Sequence, residues 1–309
     1  MGQYILKRLL YMIPMMLCVI LVVFCIMAFT PGDPATNVLP LTAEPEVKAA
    51  FNERVGYSDN PLERLGNYMS GLVKGEVLSY TTQENIFGEL AQRFPVTLRV
   101  GFTAFAIASI IGVSLGIMSA IKQYSFLDTT VTIFAITFAS IPSFFIAMML
   151  VLFFSVELGL LPSFGLVDGW RSYVLPLTTL VLGSIPMLSR LTRSAMLDAM
   201  SQDFIRTARA KGCSEKRVIW KHALKNAAMP ILTLLITGFA GTVGGSVIVE
   251  QIFTIQGIGT YMLSGVHDKN VPVVMTCALV LSFIFMAAMV ILDIAYALVD
   301  PKIRARYKK

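Results

Sequence analysis

Charge is scarce in this sequence. Asp, Glu, Lys and Arg make up 14% of the 309 residues, against roughly a quarter in a soluble domain. Hydrophobic residues make up 56%, and the mean hydropathy is +0.72. That balance excludes a soluble globular chain and leaves an all-α polytopic membrane protein. Histidine is scarcer still. The only two, His222 and His267, fall in segments that the topology below assigns to opposite sides of a membrane, so they cannot share a metal. No His-Glu-x-x-His, no Gly-x-Ser-x-Gly and no phosphate-cradling lysine loop occurs, which removes three common enzyme signatures. The four cysteines form no framework. Cys18 and Cys25 lie in the first apolar run, Cys213 in a basic stretch and Cys277 in the last run, so inert thiols are expected. An intramembrane aspartyl protease would need two deep aspartates. Only Asp293 lies within an expected span, close to its inner end, where a basic neighbour such as Arg304 or a backbone carbonyl is the expected partner.

What is abundant is uninterrupted apolar sequence. Charge-free runs cover 9–32, 100–121, 129–156, 172–189, 226–249 and 270–292. Each approaches or exceeds the ~18–20 residues that a helix needs to cross the hydrocarbon core. Six spans put both termini on one side. The first run is too long for a cleavable signal h-region, and no small-x-small site follows it, so it reads as a retained anchor that ends at Pro31-Gly32-Asp33-Pro34. With the N-terminus inside, 17 of the 25 Lys and Arg residues fall on the inner side, while 13 of the 19 acids fall outside. This bias predicts N-in, C-in, and it assigns the net charge of +6 to membrane topology rather than to nucleic acid.

The organisation follows: 1–32 as N-terminus and first span, 33–95 as a small external helical region, and 96–309 as a five-span core. In the external region, Pro45 to Val55 and Pro61 to Val73 read as short helices with Pro near their starts and Gly56 and Gly75 at their ends. Small residues recur in the second span (Gly101, Ala104, Ala108, Gly112, Gly116) and the fifth (Gly238, Gly241, Gly244, Gly245), where close helix approach is expected. Pro142, Pro176 and Pro186 predict kinks in the third and fourth spans.

One segment breaks the apolar pattern. Residues 201–230 carry seven Lys and Arg residues from Arg206 to Lys225, and only Asp203 and Glu215 oppose them. The stretch reads as two short helices broken at Gly212, with Ser201 and Ser214 as N-caps. Apolar residues at Phe204, Ile205 and Ala208, then at Val218, Ile219 and Leu224, give it one sticky face. A plain topology-setting loop is the bland alternative. The nearly charge-free span centres argue against a gradient-driven secondary transporter, which needs ionisable groups at mid-membrane, and point to an energy source outside this chain.

The string Asp203-Phe204-Ile205-Arg206-Thr207-Ala208-Arg209-Ala210-Lys211-Gly212, followed by His222-Ala223-Leu224-Lys225-Asn226, resembles the cytoplasmic coupling loop of ABC importer permeases of the dipeptide, oligopeptide and nickel branch. The general family pattern is Glu-Ala-Ala, three residues, Gly, nine residues, Ile-x-Leu-Pro. Gly212 takes the Gly position, while Arg206 and Lys225 replace the Glu and Pro, so contacts of those two positions do not carry over. Further likenesses are Lys7-Arg8, Asn67-Tyr68 to Gly75, Phe94-Pro95-Val96-Thr97-Leu98, Glu250-Gln251-Ile252-Phe253 with Gly257-Ile258-Gly259, and Val299-Asp300-Pro301-Lys302-Ile303-Arg304. Together they cover nearly the whole chain and look like the first of two permease subunits.

The resemblance implies a type I ABC importer permease fold in a prokaryotic plasma membrane. It also implies a second homologous permease subunit, two ABC ATPase subunits that bind ATP and Mg, and an external solute-binding protein. No cofactor is expected in this chain. Asp203 to Gly212 and Glu215 are expected to couple to the ATPase, with Phe204 and Ile205 as apolar knobs. Ser140, Ser143, Thr237, Thr242 and Ser246 are candidates for the translocation path, and a hydroxyl bonded to its own helix is the competing reading for each. Glu250, Gln251, Gly257 and Gly259 are candidates for binding-protein contact, on a loop whose glycines suggest flexibility. The implied activity is import of peptides without covalent chemistry by this chain.

Overall fold

The computed structural model describes residues 2–29 and 32–299, with backbone only at 2–5, 37 and 297–299. Pro31 and the terminal motif from Asp300 to Arg304 lie outside the described residues. The chain is almost wholly helical: α1 (Gly2–Ala28), α2 (Pro34–Val38), α3 (Pro45–Arg54), α4 (Pro61–Lys74), α5 (Ile86–Ile121), α6 (Phe126–Ser140), α7 (Ser143–Leu150), α8 (Arg171–Met200), α9 (Asp203–Ala210), α10 (Glu215–Arg217), α11 (Leu224–Ile252), α12 (Ile258–His267) and α13 (Val271–Val299). Wider π-type turns continue α7 through Val151–Glu157 and join α10 to α11 through Val218–Ala223. Among the described residues, extended pairing is limited to one bridge, Leu78 with Asn85.

Among the described residues, five helices are long and apolar enough to cross a membrane, and a bent pair gives a sixth crossing when counted as one span. That pair covers the run expected as the third span. Its two halves, Phe126–Ser140 and Ser143–Glu157, meet at 97°. The expected kink at Pro142 is therefore a full break. Ile141 is extended, and Pro142 sits ahead of α7 where its missing N–H costs nothing. In α8, by contrast, helix continues across both Pro176 and Pro186. The second span also differs from its apolar run. α5 starts at Ile86, capped by the Asn85 side chain, and its 36 residues make a rod of about 54 Å, longer than the roughly 30 Å of a hydrocarbon core.

The external helices are moored to the bundle. Tyr68 of α4 and Ile86 and Leu90 of α5 share a buried cluster with Ile20 and Phe24 of α1 and Val273 and Met275 of α13. Tyr68 Oη lies 3.2 Å from Thr276 Oγ1. The ends of α4 follow the sequence signals: the Asn60 side chain accepts from the Leu62 N–H, and Gly75 is left-handed at φ +72°. At the inner end of α13, Asp293 is held by Arg8 of α1 at 2.9 Å.

α5 and α8 form the spine. A Cβ on Gly112 would stand 2.7 Å from Leu188 Cβ, and one on Gly116 would stand 2.5 Å from the Ser189 carbonyl oxygen. These glycines let two backbones touch. In α11, a Cβ on Gly238 would likewise stand close, 3.0 Å from the Phe105 ring of α5, but the other glycines do something else. Among the described residues nothing lies within 4 Å of a Cβ built on Gly241, Gly244 or Gly245, so close helix packing within this chain is not their role.

Candidate functional site

The basic hairpin is built as a sealed, rigid turn. Two residues past the end of α9, Gly212 is left-handed at φ +76°. The Gly212 N–H donates to the Arg209 carbonyl at 2.9 Å, and the Cys213 N–H to the Ala208 carbonyl at 3.2 Å. This is the paired bonding of a Schellman motif, which needs a left-handed residue where Gly212 stands. Arg209 then reaches across the turn to Glu215, Nε to Oε1 at 2.8 Å and Nη2 to Oε2 at 3.2 Å. Ser201 and Ser214 do not cap as expected. Ser201 closes α8, α9 starts after Gln202, and Ser214 precedes α10 without a side-chain cap bond.

Phe204 and Ile205 separate sharply. Ile205 is fully buried in a cluster with Met196, Ala199, Ala208, Val218 and Ala227, so it cannot act as a knob towards a partner. The apolar stripe of α9 is spent on the chain's own bundle, at the inner ends of α5, α8 and α11. Phe204 is 39% exposed and Trp220 55% exposed. Trp220 escaped the sequence reading, although a large aromatic inside a basic stretch was the signal for it. Asp203, Arg206, Thr207, Arg209, Ala210, Lys211 and Glu215 are exposed as well. Arg206 stands 3.7 Å from Asp203 in an open i,i+3 pair.

The path candidates divide as well. Ser143, Thr237 and Thr242 line one cavity of about 350 Å³, together with Gly183, Ser184, Gly238, Gly241 and Gly245. Ser140 and Ser246 do not line it. The Ser140 hydroxyl donates to the Ile136 carbonyl at 2.9 Å, and Ser246, fully buried, donates to the Val243 carbonyl at 2.7 Å. Thr237 and Thr242 also donate to their own helix, at Thr233 and Gly238. The cavity wall is therefore glycine, apolar side chain and hydroxyl, with no charged residue.

At the outer end, the glycine-rich loop is pinned rather than flexible. Glu250 is fully buried and accepts from the Gly259 N–H at 2.8 Å and the Thr260 N–H at 3.4 Å, at the start of α12. The Thr97 hydroxyl accepts from the Ile258 N–H at 2.8 Å. A Cβ on Gly257 would run into the Glu250 carboxylate, and one on Gly259 would stand 2.6 Å from Val247 Cα. Glu250, Gly257 and Gly259 are thus internal supports and present no surface to a partner. Gln251 is exposed. It lines a polar outer cavity of about 420 Å³ with Arg93, Gln256, Tyr261, Asp268 and Asn270.

A broken-span helical bundle with a rigid basic hairpin at one end and an uncharged cavity inside defines a multi-pass membrane transport component. The chain belongs to the family of binding-protein-dependent transport system inner membrane components, whose pattern matches residues 112–305. It is 38% identical, over 98% of its length and 99% of the relative's, to a Brucella abortus (strain 2308) protein assigned by name alone to a peptide transport system as its permease. It is 34% identical over 98% of its length, and 99% of the relative's, to the glutathione transport system permease protein GsiC of Escherichia coli (strain K12). In fold it resembles a chain of the inward-facing MetNI methionine ABC transporter, with a TM-score of 0.56 at 20% identity, covering 68% of this chain and 97% of that one. The chain is a membrane component of a binding-protein-dependent transport system. Its family implies ATPase and binding-protein components as partners.

Proposed function

We propose that this chain is the first permease subunit of an ATP-driven peptide importer in a prokaryotic plasma membrane, translocating di- or oligopeptides delivered by an external solute-binding protein. The second permease subunit is a homologue, and two ABC ATPase subunits bind the ATP and Mg. The relatives named for peptide and glutathione transport support the substrate class. The observation that carries the coupling role is the hairpin, locked by its Schellman turn and the Arg209–Glu215 pair and seated through Ile205 on three span ends. Phe204 and Trp220 are its exposed apolar contacts, and Asp203, Arg206, Thr207, Lys211 and Glu215 form the polar rim. Closure of the ATPases then moves the span ends directly, because ATP need only favour the ATPase state that holds one permease conformation. Ser143, Thr237 and Thr242 border the path, and Gln251 faces the binding protein.

Co-reconstitution in proteoliposomes tests this reading. Uptake of a labelled dipeptide requires the ATPases, ATP and the binding protein, and dissipating ion gradients leaves it intact. Uptake by this chain alone, driven by a proton or sodium gradient, overturns it in favour of a secondary transporter.

A further inference from the structure

At the inner end of the bundle, three helices converge on one carboxylate. Asp128 stands in the first turn of α6 with its side chain 6% exposed. Arg193 of α8 meets it with both prongs of its fork, Nε to Oδ1 at 2.7 Å and Nη2 to Oδ2 at 2.8 Å. Ser119 of α5 donates its hydroxyl to Oδ1, and the Tyr124 N–H donates to Oδ2 at 2.9 Å. Tyr124 itself is left-handed, at φ +62°, an uncommon conformation for a non-glycine residue. Each carboxylate oxygen thus accepts two bonds, the saturation that makes a sheltered ion pair favourable. One and two turns above, Gly116 and Gly112 bring α5 against the α8 backbone. Below, Met196 and Ala199 of α8 share the buried cluster of Ile205 and Val218 in the hairpin.

Apart from this carboxylate, α6 packs through buried Ala135 and through Phe134, which is partly buried against the core cluster. α6 leads through the break at Pro142 into Ser143, at the cavity wall. We propose that Asp128 and Arg193 are positioning residues for transport: they join α6 to the α5–α8 spine, so that hairpin motion reaches the third span and the cavity. A lever moves only what is stiffly attached to it. Without the fork, α8 moves with the hairpin and α6 lags. The proposal rests on the reading of the chain as an ATP-driven permease, and it concerns a step that the peptide assignment does not touch.

The test uses the complete transporter with its ATPase and binding-protein partners in lipid. Two variants, Asp128→Asn and Arg193→Lys, remove the charge and the two-pronged geometry respectively. Spin labels replace Thr130 on α6 and Lys216 on the hairpin, both exposed. In the native background their distance is narrow and unchanged when ATP is trapped. In either variant it broadens and shifts with ATP, and labelled dipeptide moved per ATP hydrolysed falls about tenfold. A distance distribution that stays narrow in both variants overturns the proposal. So does a parallel fall of uptake and hydrolysis, or failure of both variants to assemble, either of which makes the pair a folding element only. If the native complex hydrolyses ATP without moving dipeptide, the substrate reading fails while the distance measurement still decides the role of the pair.

Discussion

At the scale of single residues, the hairpin separates positions that look alike in sequence. Phe204 and Ile205 are adjacent apolar residues, yet the helical turn buries one and half-exposes the other. Ile205→Asp places a charge in a sealed cluster, a change from the severe end of point substitutions, costing more than about 3 kcal/mol. The expected result is loss of the protein from membranes on immunoblot. Phe204→Asp and Trp220→Asp change partly exposed rings outside that cluster, so membrane amounts hold while ATP-dependent uptake collapses. Equal behaviour of all three would refute the division. Gly212 has open space around it but a left-handed backbone, so conformation rather than size limits substitution. Gly212→Asn is expected to keep most uptake, because Asn tolerates that region. Gly212→Val carries a strain of about 1–2 kcal/mol and should open the hairpin to protease in inside-out vesicles.

At the scale of elements, the outer loop shows how a glycine-rich segment can be the reverse of flexible. Gly257 and Gly259 are required by proximity: the chain folds back so closely on Glu250 and Val247 that no side chain fits. Glu250 then serves as a cap supplied from α11 to the start of α12, where free N–H groups and the helix dipole favour a negative charge. Glu250→Ala leaves the Gly259 and Thr260 N–H groups without that acceptor, at a cost of about 1–3 kcal/mol. Hydrogen exchange across residues 257–262 is expected to speed up in that variant, while exchange in the hairpin stays unchanged. Unaltered exchange in α12 would remove the capping role. The third span teaches a similar lesson. A charge-free run of adequate length specifies that 129–156 is apolar, and Pro142 marks where it can yield, but neither encodes direction. The 97° break depends on what surrounds Ile141 and Pro142 in space.

At the scale of the whole molecule, the features legible in the sequence were those written locally or in bulk: the number of apolar runs, the external helices with their Pro starts and Gly ends, the hairpin and its turn. Those that were not legible depend on residues far apart in the chain. Asp128 and Arg193 are 65 residues apart, and Arg8 and Asp293 are 285 apart. A single sequence shows such residues as charges at span ends and does not say which of them meet. The small residues illustrate the same limit, since glycines of α5 and α11 look equivalent until their neighbours are known. Gly112 and Gly116 of α5 are filled by α8, whereas Gly241 and Gly245 border the uncharged cavity with nothing within 4 Å of a built Cβ, among the described residues. A larger side chain there is therefore accommodated by the fold and takes up room in the cavity instead. Gly245→Leu should reach the membrane in normal amount and should discriminate by size, lowering uptake of a labelled tripeptide more than that of a dipeptide. Gly112→Leu, whose Cβ would meet Leu188, should instead lower membrane amount and both uptakes together. If Gly245→Leu reduces both peptides equally, or destabilises the protein as Gly112→Leu does, the cavity is not the route that peptides take.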